Sequence, residues 1–458
     1  MKKKTLLILF SLLMPIIGFQ NCGQSAFQSR MPSSELQVSE SLNGDSEQIS
    51  SSLPISPSGV ARSALVPVLN GKKYYVAKTG LDTNDGSITK PLKTFKNAIS
   101  RMKAGDSLFI RGGLYTEQID FQGPNKTGTA SAWIKVAGYP GEVVTIQYTD
   151  PNPNDGKPGY GPIRARGNRG YFNFENLILD GIHAKRNSTW EIRDGNHHFV
   201  LRKIEMKNFF GSPLKVAGSY VEVLNSKFHD QTRVSTSRLY CMYISKGSNI
   251  VIDGNECYKN IGGGIHLYYG PLVNVVIRNN IVRHNSFMDT IVGGILVWGV
   301  LSGSNGNGNV DGVQIYNNLV YSNCVNQPPG SPVCGGILVS GTSTKNVKVW
   351  NNTVYGNRSY GISIAPYNGV KPVNTVVQNN IVYGNKNAQI INDGLNSVID
   401  HNLTTDPQFV STTASNFRLK SSSPAVNKGR SISSIKTDIT GTARPKGGFF
   451  DIGAYESY

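Results

Sequence analysis

The chain repeats one short pattern along most of its length, and this repeat limits the possible folds more than any other feature. Each copy contains an alternating apolar run, a turn residue and a second short apolar run. Consecutive turns are between 22 residues (Lys203 to Asn225) and 38 residues (Asn279 to Asn317) apart. Periods of this size indicate a stacked array, and the shortest spacing fits one three-stranded coil. The nine aligned turn positions are Asn176, Lys203, Asn225, Gly254, Asn279, Asn317, Asn351, Asn379 and His401.

Asparagine occupies most of these turn positions, and its chemistry explains why. A tight bend between two strands of one coil needs left-handed backbone angles, which asparagine tolerates. When coils stack, each side-chain amide can also bond to the amide of the next coil, a net gain of about 1 kcal/mol per bond. We therefore assign the asparagine column to register and stability and give it no catalytic role.

A short strand, often led by glycine, follows each turn. Because side chains on a strand alternate between its two faces, Leu214, Met242, Ile265 and Ile295 are predicted to point inward. Their neighbours then form an outward column with about 4.8 Å between coils. This column is predicted to contain Glu191, Lys215, Tyr243, His266, Leu296, Leu338 and Ser363, and a second one Arg193, Ser245, Tyr268 and Trp298. Charged and aromatic residues occupy only the N-terminal half, so the candidate site extends from Glu191 to Trp298.

The first 22 residues predict export. A lysine-rich head precedes a short apolar run, as in a secretory signal peptide. Cys22 directly after that run resembles the lipidation site of bacterial lipoproteins, although residues 19–21 depart from the small residues usual there. A cleaved signal with an incidental cysteine is the alternative. Residues 23–70 are rich in Ser, Pro and Gln and predict a flexible tether. We expect an exported protein anchored to the outer membrane or cell surface through Cys22, or otherwise a periplasmic or secreted one.

Export also permits disulfide bonds. Cys324 and Cys334 flank a loop short enough to be closed by a disulfide, so we predict that they are bonded. Cys241 and Cys257 can either form a second disulfide or lie in the core as small buried thiols.

The two ends of the globular part carry a family resemblance. After a short strand at Tyr74, apolar residues from Phe95 to Met102 recur at helical spacing and predict an amphipathic helix over 92–103. This stretch resembles the N-terminal cap of secreted bacterial right-handed parallel β-helix proteins of the pectate-lyase-like superfamily. The part from DPQFV at 406 to the C-terminus resembles their closing segment.

The resemblance implies an all-β fold, a right-handed parallel β-helix of about nine or more three-stranded coils with an N-terminal capping helix. The β-helix with its cap would occupy residues 71–430 and the closing segment 431–458. We expect the C-terminal part to cover the last coil, because an uncovered strand edge invites pairing with other chains.

The formal net charge of +17 indicates an anionic partner. Acidic polysaccharide or an anionic envelope glycan fits an exported protein, whereas no nucleic-acid-binding motif accompanies the charge. General solubility without a specific partner is the alternative. The outward strand face forms the substrate groove in the superfamily, so the resemblance implies a saccharide site between Glu191 and Trp298. We expect the protein to be a monomer.

The outward residues suit a polysaccharide lyase, which removes the proton beside a uronate carboxylate and expels the glycosidic oxygen. Such an enzyme must neutralise the carboxylate, supply a base and protonate the leaving oxygen. Lys215 and Arg193 can neutralise charge, and a lysine among other cations can itself be the base. Tyr243 and His266, one coil apart, can share the acid and base roles. The predicted catalytic residues are Lys215, Tyr243 and His266, and the predicted substrate-binding residues are Glu191, Arg193, Ser245, Tyr268 and Trp298.

The acidic residues argue against two other mechanisms. Calcium, which several lyases of the superfamily use, takes six to eight oxygen ligands, but the carboxylates at Asp230, Asp253, Glu256 and Asp289 are scattered. Calcium binding is therefore possible but is not predicted. Asp82 and Asp85 could also bind calcium, but we interpret them as part of a structural turn. Hydrolysis by paired acids is disfavoured because Glu191 is the only carboxylate of the column. A non-catalytic glycan-binding or envelope-binding protein and a uronate C5-epimerase are the alternatives to a lyase.

Overall fold

Period-two alternation of apolar residues, broken at regular turns, folds the chain into stacked coils whose strands pair in parallel with the next coil. The computed structural model describes residues 70–148, 161–183, 189–232, 239–286, 293–300, 308–325 and 334–457. The predicted signal peptide with Cys22 and the predicted tether lie outside these residues. Among the described residues there is no helix long and apolar enough to cross a membrane.

Two faces of the coils merge into one 22-stranded sheet whose lateral pairings are all parallel within the described residues. The register is residue to residue, so that Ile252 lies beside Ile277 and Ile277 beside Ile315. The strands of this sheet are Lys73–Val76, Ser107–Ile110, Gly113–Tyr115, Ile134–Gly138, Val144–Ile146, Gly170–Asp180, His197–Lys207, Ser219–Leu224, Lys227–His229, Gly247–Asp253, Glu256–Tyr258, Leu272–Arg278, Ile281–Arg283, Val310–Asp311, Gln314–Tyr316, Leu319–Tyr321, Thr344–Lys345, Lys348–Trp350, Thr353–Tyr355, Val376–Gln378, Ile381–Tyr383 and Val398–Asp400.

The remaining face of the coils is a parallel eight-stranded sheet that carries the candidate site. Its strands are Trp190–Ile192, Leu214–Val216, Tyr240–Ile244, Gly263–Tyr269, Ile295–Gly299, Ile337–Gly341, Ile362–Ile364 and Ile390–Asn392. Two small pairs complete the strands: Ile119–Asp120 is parallel to Ile163–Arg164, and Phe409–Ser411 is antiparallel to Asn416–Leu419.

The core is the column of inward side chains enclosed by these sheets. Leu214, Met242, Ile265 and Ile295 are all fully buried in it, which confirms the predicted inward positions. Close packing requires glycine just before the strand Ile295–Gly299 of the eight-stranded sheet. A Cβ on Gly294 would collide with the Val320 side chain of the same stack.

All nine predicted turn residues adopt left-handed backbone angles, with φ between 49° and 70°. The stacking amides, however, belong to the following residue, a correction to the predicted asparagine column. In this asparagine ladder each Oδ1 accepts hydrogen bonds from the backbone N–H and Nδ2 of the preceding coil, at 2.9–3.0 Å. Its members are Asn255, Asn280, Asn318, Asn352, Asn380 and Asn402. The left-handed residue points its side chain away from the core, whereas the next one points inward and can reach its neighbour.

A second asparagine ladder, which the sequence analysis missed, runs at another corner of the stack. It joins Asn260, Asn285, Asn323, Asn357 and Asn385 in the same way. Its sequence signal is the final Asn of runs such as IVRHN and LVYSN, which recur after each turn.

The N-terminal cap contains one α-helix, Phe95–Arg101, which is shorter than the predicted span 92–103. It begins at Thr94, whose hydroxyl accepts a hydrogen bond from the Asn97 N–H at 3.2 Å, and it ends where Met102 becomes extended. Asp82 accepts hydrogen bonds from the Lys93 and Thr94 N–H groups, so its carboxylate fixes the start of the helix.

The structure contains two disulfides. One joins Cys324 and Cys334, with Cα atoms 5.8 Å apart, across the loop that was predicted to be closed. The other joins Cys241 and Cys257 across 6.1 Å, so the bonded alternative for this pair is the one observed.

The C-terminal segment packs along the side of the stack, and the expectation that it covers the last coil is wrong. Phe417 lies against Tyr321 and Tyr355, with ring centroids 4.8 and 5.2 Å apart. In the last coil Val398 and Ile399 stay exposed. The reason is hydrophobic burial: Phe409, Phe417 and Leu419 pack in one apolar cluster with outward side chains of the 22-stranded sheet, such as Leu319, Tyr321 and Ile381.

Candidate functional site

The predicted outward column exists in the predicted register on the eight-stranded sheet. Lys215 pairs with Glu191 on one side and with Tyr243 on the other, and Tyr243 pairs with His266. The column continues through Leu296, Leu338 and Ser363. In the second column, Tyr268 pairs with Trp298. The spacing between coils is about 4.8 Å, so adjacent members can contact one ligand unit together.

The N-terminal part of this face is a charged strip, which contains Arg164, Arg166, Glu191, Arg193 and Lys215 among the described residues. Arg193 donates to Glu191 Oε2 from Nε and Nη2, at 2.8 and 2.6 Å. Arg166, from the preceding coil, approaches the same oxygen at 3.6 Å. Arg164 lies 3.5 Å from Asp120 one coil earlier. Sequence analysis missed both Arg164 and Arg166, because the coil that carries them precedes the clear part of the repeat.

Lys215 lies in this strip with its ammonium group uncommitted. Its side chain is partly exposed, and within the described ranges it has no ion-pair or hydrogen-bond partner. Ser245 is also partly exposed and follows the Tyr243 strand, where its N–H donates to Val216 O at 2.8 Å. The predicted site residues Lys215, Tyr243 and Ser245 are therefore all reachable by a ligand.

His266 faces outward but lies inside an aromatic cluster, which corrects the expectation of an exposed imidazole. Its ring centroid is 4.2 Å from Tyr240, 5.3 Å from Tyr268 and 5.9 Å from Tyr243. Only 4% of the residue is exposed. Tyr240, which stacks on Tyr243 at 5.4 Å, was missed because strand alternation placed it on the inner face. His266 therefore packs against Tyr243 and is withdrawn from solvent.

Trp298 is more buried than a sugar-stacking residue should be. It is 8% exposed, and the Tyr367 ring lies against it edge to face, with centroids 4.9 Å apart. Tyr268, partly exposed and 6.4 Å from Trp298, keeps an accessible ring. Of the two predicted stacking residues, Tyr268 is the one that a saccharide can reach.

The site residues do not fit a calcium ion. Glu191 is the carboxylate of the column, and two guanidinium groups already occupy it. No cluster of three or more His, Cys, Asp or Glu side chains suited to a metal occurs in the part of the chain that the structure describes. Calcium needs several oxygen ligands at once, so we derive no step through it.

The other histidines lie away from the column. His229 is on the outer face of the 22-stranded sheet, 2.7 Å from Asp230 and 3.5 Å from Glu205. The hydrogen bond from His229 lowers the pKa of Glu205 to about 2. His197 and His198 contact each other through their Nδ1 atoms at 2.9 Å, and burial lowers the pKa of both. These pairs lie on the 22-stranded sheet, away from the candidate site.

The fold is that of a parallel β-helix protein whose eight-stranded sheet carries an outward column of charged and aromatic side chains. A family model described as "Right handed beta helix region" matches residues 163–344 and 216–404, which together span more than half of the chain. The chain belongs to the right-handed β-helix family.

Its relatives include pectate lyases. Pectate lyase PEL9 of Emericella nidulans is 26% identical over 228 residues, which cover 45% of this chain and 52% of the relative. The chain thus spans about half the length of this curated relative. The crystal structure of pectate lyase Pel9A has a TM-score of 0.54 at 18% identity and covers 86% of this chain and 98% of its own. A rhamnogalacturonan lyase has a TM-score of 0.53 at 15% identity, with 81% and 99% covered. At these identities the solved structures show that the fold is shared.

Proposed function

We propose that the protein binds an acidic polysaccharide along the charged strip and cleaves it by β-elimination. The observation that carries the proposal is Lys215, uncommitted among the described residues and in register with the Glu191–arginine group and with Tyr243. Arg166 and Arg193 approach the Glu191 carboxylate, and Lys215 lies beside it in register, so this part of the face can attract the carboxylate of a uronate. The relationship to pectate lyases supports the same substrate class.

The reaction can be assigned to residues of this face. The arginines neutralise the uronate carboxylate, which makes the proton on the adjacent C5 acidic. Lys215, in its neutral form, takes that proton, and the C5–H electrons form the C4–C5 double bond as the C4–O4 bond breaks. The Tyr243 hydroxyl donates a proton to the departing oxygen and is reprotonated from solvent. His266 and Tyr240 pack against the Tyr243 ring and hold it in place.

Lys215→Ala should lower kcat at least about 100-fold, because general-base groups contribute roughly 10²–10⁴-fold. The full chain is incubated with polygalacturonate, alginate and glycosaminoglycans, with and without added calcium, while absorbance of the new double bond is followed. Lys345→Ala is the matched control: this lysine is exposed on the 22-stranded sheet, 3.3 Å from Asp311, and its loss should leave the rate unchanged.

Lys215→Arg distinguishes the two roles of this lysine. Arginine keeps the positive charge but does not deprotonate, so a base role predicts that Lys215→Arg is as inactive as Lys215→Ala. If Lys215→Arg keeps most of the activity, the lysine only neutralises charge. If wild-type protein forms no unsaturated product on any of the polysaccharides, the lyase proposal is wrong.

A non-catalytic glycan-binding protein is the second candidate, and the burial of His266 favours it because that imidazole is withdrawn from a ligand. The same incubation separates the candidates. If the protein binds the polysaccharide but forms no unsaturated product, it is a binding protein alone. Exchange of solvent deuterium into the polymer without chain cleavage would instead indicate a C5-epimerase.

We further propose that the protein is exported and anchored by a lipid on Cys22, which is supported by the position of this cysteine after the apolar run of the signal peptide. Cys22→Ala should move the protein from the membrane fraction to the soluble exported fraction when cells are fractionated and blotted. A membrane association equal to that of the wild type in Cys22→Ala would show that the cysteine is incidental.

A further inference from the structure

We propose that the groove is closed at one end by Trp298 and Tyr367, so that it takes the terminal units of an acidic polysaccharide and not the middle of the chain. This inference rests on the ligand class proposed above. It adds the direction in which the ligand must enter and the position at which it must stop.

The first observation is an abrupt change in exposure along one column. Lys215 and Tyr243 are partly exposed, whereas the next outward residues on later strands, His266, Leu296, Leu338 and Ser363, are only 2–4% exposed. Pairing is continuous through all of them, so the strands do not change direction. The outward face is therefore open at the N-terminal coils and covered at the C-terminal ones.

The second observation is the hairpin that provides part of the cover. Tyr367 and Val370 exchange backbone hydrogen bonds of 2.9 and 3.0 Å around Asn368 and Gly369, both with positive φ. This two-residue turn has the geometry of tight hairpins, which fixes its direction. It starts after the strand Ile362–Ile364, two coils beyond Trp298.

The Tyr367 ring nevertheless contacts Trp298, with centroids 4.9 Å apart, so the Tyr367 side chain reaches back toward the coil of Trp298. Trp298, Leu296 and Leu338 form one apolar cluster with Tyr367 and Ala365 packed against it. Together, Trp298 and Tyr367 form an end wall across the outward face.

The open part of the face is short. From Glu191 through Lys215 to Tyr243 it spans two coil steps, which gives about 10 Å, and the buried His266 follows. That length holds only a few sugar units. Tyr268 lies between the open strip and the end wall, where its ring can stack on the last unit of a chain. A chain lying along the column would have to end there.

Binding stoichiometry tests the end wall independently of catalysis. Polygalacturonate fractions of two defined lengths, one twice the other, are titrated at saturation with Lys215→Ala protein, so that cleavage does not interfere. If the end wall is intact, the same number of protein molecules should bind to each polysaccharide chain in both fractions. Tyr367→Ala, in the same background, should make this number double when the chain length doubles, because sites within the chain then become accessible.

Val370→Ala is the matched control, since it lies in the same hairpin, contributes only backbone hydrogen bonds to it and is exposed. It should bind as the parent does. Equal thermal midpoints for the two hairpin variants would show that Tyr367→Ala is folded.

The outcomes separate this inference from the proposed function. A stoichiometry that scales with length in the parent, or no binding to polygalacturonate, contradicts the end wall. Rapid loss of viscosity during cleavage by the wild type would leave the lyase proposal intact and contradict the wall. Length-independent binding by a wild-type protein that forms no product would support the wall and contradict the lyase.

Discussion

Asn318→Ala is expected to lower the free energy of unfolding by about 3–5 kcal/mol, because two or three buried polar groups lose their partners at about 1–3 kcal/mol each. Asn318 is fully buried. Its Oδ1 accepts from the N–H and Nδ2 of Asn280, and its Nδ2 donates to Ile277 O and Asn352 Oδ1, all at 2.9 Å. Alanine removes these four bonds and a fifth, from Nδ2 to Tyr316 O at 3.1 Å, at a buried position. Chemical denaturation of purified protein measures the loss.

Asn402→Ala, at the C-terminal end of the same asparagine ladder, is the control. Asn402 also accepts from the N–H and Nδ2 of the preceding Asn380, but it is only partly buried. Water can replace the lost bonds there, so the expected loss is about 1 kcal/mol. Equal losses at the two positions would show that burial does not decide the contribution of the ladder.

Arg444→Met is expected to lower the free energy of unfolding by about 3–5 kcal/mol, the usual cost of leaving one partner of a buried ion pair uncompensated. Arg444 Nη1 lies 2.5 Å from Glu456 Oε2, and neither side chain is exposed. The same guanidinium donates to Asp451 O and Gly453 O. Burial raises the pKa of the Glu456 carboxyl, so removing Arg444 favours its protonation.

The double variant Arg444→Met with Glu456→Gln should be more stable than Arg444→Met alone, because it removes the charge of Glu456 that Arg444→Met leaves without its partner. Arg430→Met is the surface control: its guanidinium is exposed, 3.4 Å from Asp400, and its loss should cost less than about 1 kcal/mol. Urea midpoints of the four proteins, with proteolysis of the C-terminal segment as a second readout, test this. A double variant less stable than Arg444→Met would contradict the charge argument.

The coil architecture could be predicted from the sequence because its signals are local. A left-handed turn needs a residue that tolerates positive φ, and all nine predicted positions adopt it, including Lys203 and His401, where the residue type gives little guidance. Alternation then fixes which side chains point inward. The same two rules placed Lys215, Tyr243 and His266 in one outward column, which the strand register confirms.

Features that depend on distant segments were predicted incompletely or incorrectly. The amide ladder lies one residue beyond the predicted column, because only the three-dimensional path of the turn decides which of two adjacent side chains points inward. The C-terminal segment packs along the side of the stack, where Phe417 contacts Tyr321 and Tyr355. Both outcomes depend on contacts that form only in the folded chain, and a local sequence pattern does not predict such contacts.

The sequence by itself determined the parallel stack, its inward residues and the outward column from Glu191 to Trp298, because period-two alternation and left-handed turns are properties of neighbouring residues. Only the tertiary structure decided which of those outward residues a ligand can reach. His266 is enclosed by Tyr240, Tyr243 and Tyr268. Trp298 is covered by Tyr367, a residue about 70 positions later in the chain. The accessibility of an outward residue depends on side chains that are remote in sequence and adjacent in space. Strand periodicity gives no information about those side chains.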